Sequence, residues 1–338
     1  MRGAFGIGAM LTVVVALAGC GSGANRVVAY SSLDREFSEP VLKNFHKKTG
    51  VRVDAKYDVE STKTVGLTQL LVAESGRPRC DLFWNNEIIN TLRLRRGGLL
   101  APFHPPSASG YPDAFKAKDG TWYGFAARAR VLIVNTSVVA VADRPKGLLD
   151  LTDPKWRGKI GIAKPLFGTT ATHAACLFSV WGPDKAKEFF RALKSNGVHV
   201  LSGNKQVASA VGSGALAFGL TDTDDAMSEL DAGRPVALVY PDRAPGELGT
   251  LFIPNTLSIL KDAPHRSSAE ALAEFLLAPG VESSLARGPS SQIPLNPAVT
   301  ARARVETPST VTPMIVDWEA AVDHWDEAMS FLAGEFAG

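Results

Sequence analysis

The chain of 338 residues is short of the features that mark most enzymes and nucleic-acid binders. It has no HExxH, GxSxG, Walker-type or CxxC motif, so the common metallohydrolase, serine-hydrolase, nucleotide-phosphate and dithiol chemistries have no visible carrier. Its net charge is only +2, without the basic bias of a nucleic-acid-binding protein. Repeats, low-complexity tracts and long charge runs are absent. The six histidines are scattered, and His173 reads as structural. Only three cysteines occur: Cys20, Cys80 and Cys176. The apolar run Ile7–Ala18 is too short to span a bilayer.

What is present points first to export. Arg2 followed by Ile7–Ala18 has the proportions of a signal-peptide core. The run ends in Leu17-Ala18-Gly19-Cys20, which resembles the lipobox of bacterial lipoproteins. The resemblance implies that residues 1–19 are a removed signal peptide and that Cys20 carries lipid. Residues 20–26 are then the lipidated cysteine and a tether, rich in Gly and Ser. An exported compartment permits disulfides. However, Cys80 opens a strand and Cys176 sits far away in a helical run, so both read as buried free thiols.

The length suits two lobes better than one core. Short apolar strands alternate with amphipathic helices, which predicts an open, largely parallel α/β sheet. Strands are expected over Val27–Tyr30, Val51–Tyr57 and Cys80–Trp84, each ending in small polar residues. In such sheets ligands sit beyond the carboxyl ends of the strands. Two further strands, Trp122–Phe125 and Val131–Asn135, are expected on either side of Ala126–Arg130. A helix is expected from Pro40, with Pro at its start and Gly50 at its end. Trp318, Val322, Trp325 and Met329 recur at helical spacing and read as core packing.

The stretch Gly214–Ala226, GALAFGLTDTDDA, stands out. Ala215–Leu220 reads as a buried strand that runs into Thr221, Asp222, Thr223, Asp224 and Asp225. One reading is a binding edge. The other is simple capping, with Asp225 or Thr223 starting a helix over Ala226–Leu230.

Taken in order, VVAYSSLDREFSEPVLKNFHKKTGVRV, CDLFWNNE, GLLAPF, WYGFAARARVLIVNT, LTDPKWRGKIGIAKP and SGALAFGLT resemble the bacterial extracellular solute-binding proteins. The similarity is to the branch holding the periplasmic ferric-ion-binding proteins of ABC importers. It implies an α/β, two-lobed periplasmic-binding-protein fold (type II), with open mixed sheets and a cleft at the lobe interface. Residues 27–125 plus 249–338 would form lobe one and 126–248 lobe two. It also implies a non-enzymatic monomer without a catalytic cofactor, at the periplasm or cell surface. Its partners would be an ABC permease, its ATPase subunits and, through the Cys20 lipid, the membrane.

The family pattern also directs attention to the cleft residues. The ferric binders hold iron with two adjacent tyrosines, and the matching positions here carry Asp224 and Asp225. A histidine usual near the end of the first strand is missing from Tyr30-Ser31-Ser32-Leu33-Asp34. Glu60 lies close to where the family supplies a carboxylate. The metal set expected is therefore Glu60, Asp224 and Asp225, an all-oxygen set suited to Fe³⁺ or another hard cation. The opposite reading is an anionic or phosphorylated solute. Gly168, Thr169 and Thr170 at a helix start would present N–H groups and hydroxyls. Arg128 and Arg130 would clamp phosphate or carboxylate. Tyr30, Ser31, Ser32, Thr62, Asn85, Glu87 and Thr223 complete the expected ligand-binding set. A secreted hydrolase using Asp224, Asp225 and Glu60, and a sensory or scaffolding lipoprotein, are the readings from other functional classes.

Overall fold

The computed structural model describes residues 25–58 and 64–336. Residues 1–19, expected to be a signal peptide, and Cys20, Glu60 and Thr62 lie outside the described residues. Among the described residues, no helix is long and apolar enough to cross a membrane.

The first part of the chain alternates as expected. Strands β1 (Arg26–Ser31), β2 (Arg52–Tyr57) and β3 (Leu82–Asn85) are separated by helices α1 (Arg35–Thr49) and α2 (Val65–Ala73). β1 pairs with both β2 and β3 in parallel. Helix α3 (Ile89–Arg96) and the short β4 (Leu100–Ala101) follow. Helix α1 begins before Pro40, which lies inside it, and ends at Gly50 with φ of 74°. The start was therefore misplaced at Pro40, while the left-handed glycine closes the helix as its chemistry predicts.

The chain then runs into β5 (Tyr123–Asn135), a single strand buried at every position. The two strands expected here are one. Its first part, Tyr123–Ala129, pairs antiparallel with β10 (Phe252–Leu260), and Arg130–Val134 pairs with β8 (Phe218–Asp222). Ala126 takes a positive φ of 44° within the strand, beside a register shift between Ile253 and Asn255. The crossing is thus continuous but bent.

Beyond it come β6 (Ile160–Ala163), α4 (Gly168–Trp181), α5 (Pro183–Ser195), β7 (His199–Leu201), α6 (Asn204–Gly212), β8, α7 (Thr223–Asp231) and β9 (Val236–Val239). The ten-stranded sheet has the order β2-β1-β3-β10-β5-β8-β6-β7, with β4 on β10 and β9 on β5. It is mixed: β6 pairs in parallel with β7 and β8, whereas β5 is antiparallel to β8, β9 and β10. Cys80 and Cys176 are buried free thiols, as expected.

After β10 the chain forms α8 (Arg266–Leu277), α9 (Pro279–Arg287), α10 (Trp318–Asp323) and α11 (Trp325–Phe336). Helix α8 packs on β1 and β10. Helix α10 packs on both α3 and α4, and α11 packs on α4 and α5. The apolar stripe of α11, with Trp325, Ala328, Leu332 and Phe336, is buried in a core shared with Phe178, Phe189 and Phe190. The final helices sit with α4 and α5 because that is where their apolar faces are covered.

Candidate functional site

The polar ends of β1, β3 and β8 hold the side chains singled out above. In β8 the strand continues past Leu220 through Thr221 to Asp222, and α7 starts directly at Thr223. Asp222 is the residue before the helix, yet no side-chain cap bond is made there. Thr223 Oγ1 accepts from the Ala129 N–H at 3.1 Å. Capping by Asp225 or Thr223 is therefore not their role, and the helix begins earlier than the Ala226 start expected for it.

Arg130 anchors the centre. Its Nη1 donates to Asp222 Oδ1 at 2.6 Å and to Thr169 Oγ1 and Asn204 Oδ1 at 3.1 Å. Its Nη2 donates to Thr170 Oγ1 at 3.1 Å. The second Asp222 oxygen accepts from Thr169 Oγ1 at 2.5 Å and Asn204 Nδ2 at 3.0 Å. Arg130 is fully buried and its Nε has no partner among the described residues. One guanidinium therefore joins β5 to β8, α6 and the hydroxyls in the first turn of α4.

Arg128 occupies the next inward position on β5. Its Nε lies 3.2 Å from Asp224 Oδ2, its Nη2 donates to Asn255 Oδ1 at 3.2 Å, and its Nη1 donates to the Asn86 carbonyl. Burial opposes its charge, but Asp224, followed by Asp222, Asp34 and Asp225, more than offsets that and raises its pKa. Arg128 is thus held charged in a buried setting by carboxylates.

Asp222, Asp224 and Asp225 are all buried, and one oxygen from each lies within 4.8 Å of the others. Such convergence of hard oxygen donors fits a hard cation. Nearby, His173 on α4 is buried, with neither ring nitrogen bonded to any of the described residues. Burial, then the positive charge of Arg130, pushes its pKa well below the ordinary histidine range. It stays neutral.

Other expected residues have different places. Glu87 is buried and accepts from Asn85 Nδ2 (2.8 Å), the Asn90 N–H (3.0 Å) and Thr172 Oγ1 of α4 (2.8 Å). It joins the region after β3 to α4. Asn85 also accepts from Ser32 Oγ at 3.3 Å, while Ser31 Oγ bonds the Leu33 carbonyl. The Tyr30 hydroxyl donates to Glu74 at 3.0 Å, beside the Leu67–Leu71 cluster, and does not join the arginine–aspartate group. Gly168 opens α4 with φ of 56°, a conformation that suits glycine. Four participants were missed as ligands or supports. They are Asp222, Asn204, Thr172 and Asn255. Only Asp222 carried a signal, its place in the TDTDD run.

Comparison with known proteins bears on this geometry. The family described as bacterial extracellular solute-binding protein matches residues 91–324. The chain belongs to that family. Proteins of this kind are substrate-binding components of transporters, not enzymes, and the family places this solute-binding protein in the periplasm with an ABC transporter as partner. Among curated relatives, "Iron uptake protein A2" of Synechocystis is 26% identical over 69% of this chain and 70% of its own length. Iron-bound HitA from Pseudomonas aeruginosa superposes with a TM-score of 0.82 at 22% identity, covering 92% of this chain and 99% of HitA. AfuA from Actinobacillus pleuropneumoniae, solved with fructose-6-phosphate, gives 0.81 at 23% identity, covering 92% and 98%. These likenesses establish the two-lobed periplasmic-binding-protein fold of this solute-binding chain.

Proposed function

We propose that this solute-binding protein captures a hard metal ion, with iron the leading candidate, and delivers it to an ABC permease and its ATPase. The observation that carries the reading is the convergence of Asp222, Asp224 and Asp225 within 4.8 Å. The ion would be held by Asp224 and Asp225, with Glu60 as the third carboxylate, beside Asp222, which accepts from Arg130, Thr169 and Asn204. Iron-named relatives support this choice. An accompanying anion would sit at the first turn of α4, near Thr169, Thr170 and Arg130. The protein would work as a monomer, anchored through lipid on Cys20. Its lobes would be 27–125 with the β10–α9 region, and 126–248 with α10 and α11.

A second reading, a phosphorylated or otherwise anionic solute, is favoured by the buried Arg130 guanidinium beside that helix start, with Arg128 buried on the same strand. Thermal unfolding across Fe³⁺-citrate, Mn²⁺, Ca²⁺, phosphate and sugar phosphates separates the two. A ligand at about 100 times its Kd adds about 2.7 kcal/mol of stability. The metal reading expects a shift with Fe³⁺-citrate that Asp224→Ala with Asp225→Ala abolishes. A shift with phosphate compounds alone moves the solute to the arginines.

A further inference from the structure

An ion pair joins the starts of two helices, one of them adjoining the arginine–aspartate network. Helix α1 follows β1 directly and carries Glu36 in its first turn. Helix α6 follows β7 and carries Lys205 at its second position. Lys205 Nζ donates to Glu36 Oε1 at 2.8 Å. The two side chains are about half exposed, at 54% and 52%. They belong to opposite sides of the bent crossing: α1 lies against β2 and α8, and α6 against β6 and β8.

Lys205 adjoins Asn204, whose amide bonds both Thr169 and Asp222. The ion pair is therefore one residue away from the buried network. Lys205 also sits in a predominantly acidic field. Its bond to Glu36 is the strongest influence holding its charge, and the more distant Asp34 and Asp225 add to it. A lysine at a helix start works against the helix dipole. Glu36 in the first turn of the facing helix is favoured by its own dipole. The pair thus compensates an unfavourable placement only while the two sides are together.

We propose that Glu36 and Lys205 form a latch across the cleft mouth, positioning residues that hold the two sides shut and so slow release of the solute. The inference rests on the solute lying among Asp224, Asp225, Arg128 and Arg130, but the latch itself acts whether the cargo is a cation or an anion. Its contribution should be modest, because exposed pairs are weak individually and are screened by salt.

The test is a double-mutant cycle on the cargo-free protein, which separates failure of the latch from failure of the metal reading. Glu36→Gln, Lys205→Gln and the double variant would be compared by single-molecule energy transfer between dyes at exposed Val72 and Val141. Each single change should raise the open-to-closed ratio about two- to fivefold at low salt. The double variant should open no further than either single one, and high salt should open the unmodified protein to the same degree. Unchanged ratios in both single variants, or effects that multiply in the double variant, would overturn the latch. Circular dichroism melts accompany the cycle, since both sites are exposed and the fold should be kept.

Discussion

Arg130 and Asp222 are register partners on adjacent antiparallel strands, and their side chains also meet at 2.6 Å on the buried face. A cross-strand pair usually contributes little when wet, but this one has no water to fall back on. Asp222→Asn keeps the size and removes the charge, leaving the Arg130 guanidinium buried beside a neutral amide. The expected cost is about 3–5 kcal/mol of unfolding free energy, read as a lowered urea midpoint. A loss below about 1 kcal/mol would mean that Thr169, Thr170 and Asn204 suffice to hold Arg130.

Glu282 gives a pH prediction. It is buried on α9 and accepts from the N–H groups of Ala126 (2.6 Å), Asn296 (2.8 Å) and Leu295 (3.0 Å). Burial raises its pKa, with the bonds from Leu295, Ala126 and Asn296 opposing. A carboxyl raised in the folded state contributes stability that is complete below its unfolded value and is lost as pH rises through the folded one. Glu282→Gln removes that titration. The stability difference between the unmodified protein and the variant should therefore move in favour of the variant from pH 4 to pH 7. Movement in the other direction would show that the three N–H bonds dominate.

Gly219 and Gly161 face each other between β8 and β6. A Cβ at 219 would lie 2.7 Å from the Gly161 carbonyl oxygen and 2.5 Å from a Val207 methyl. The backbone oxygen cannot turn away as a side chain can. Gly219→Ala should cost about 1–3 kcal/mol through overpacking, measured by thermal or denaturant unfolding. Gly233→Ala would be a poor control because its φ is 73°. Gly280→Ala, which meets nothing within 4 Å, should be near neutral.

Thr172→Val tests the join between Glu87 and α4. The valine has nearly the same shape but cannot donate to Glu87 Oε2. The expected loss is about 1–3 kcal/mol, since a buried carboxylate oxygen gives up a bond of 2.8 Å. Thr172→Ser, which restores the hydroxyl, should recover most of it. Equal losses in both variants would assign the effect to the methyl group instead.

The alternation of strands and helices made the fold legible, because period and turn chemistry are local. So did the TDTDD run and the clustering of Arg128 and Arg130. What was not legible depends on distance. The family resemblance implies a crossing at Ala126–Asn135, but the local pattern reads as two strands, since the bend that keeps them one is stabilised by Glu282 and Asn255, more than a hundred positions away. Tyr30 read as a binding residue because it precedes Ser31, but alternation along β1 sends it toward Glu74. The Pro40 error was local: Pro was taken as a start signal, although the helix tolerates it one turn inside.

The packing of α10 and α11 on α4 also governs the order of assembly. The faces of α4 that carry Ala174, Leu177 and Phe178 belong to a core that includes Ala321, Val322, Trp325, Ala328, Leu332 and Phe336. A chain that emerges amino terminus first presents those apolar faces long before their cover arrives. The side of the molecule that holds Thr169, Thr170 and Arg130 can therefore reach its final form only at the end of translocation. Truncation before Trp318 should leave a collapsed, aggregation-prone product rather than a smaller functional binder.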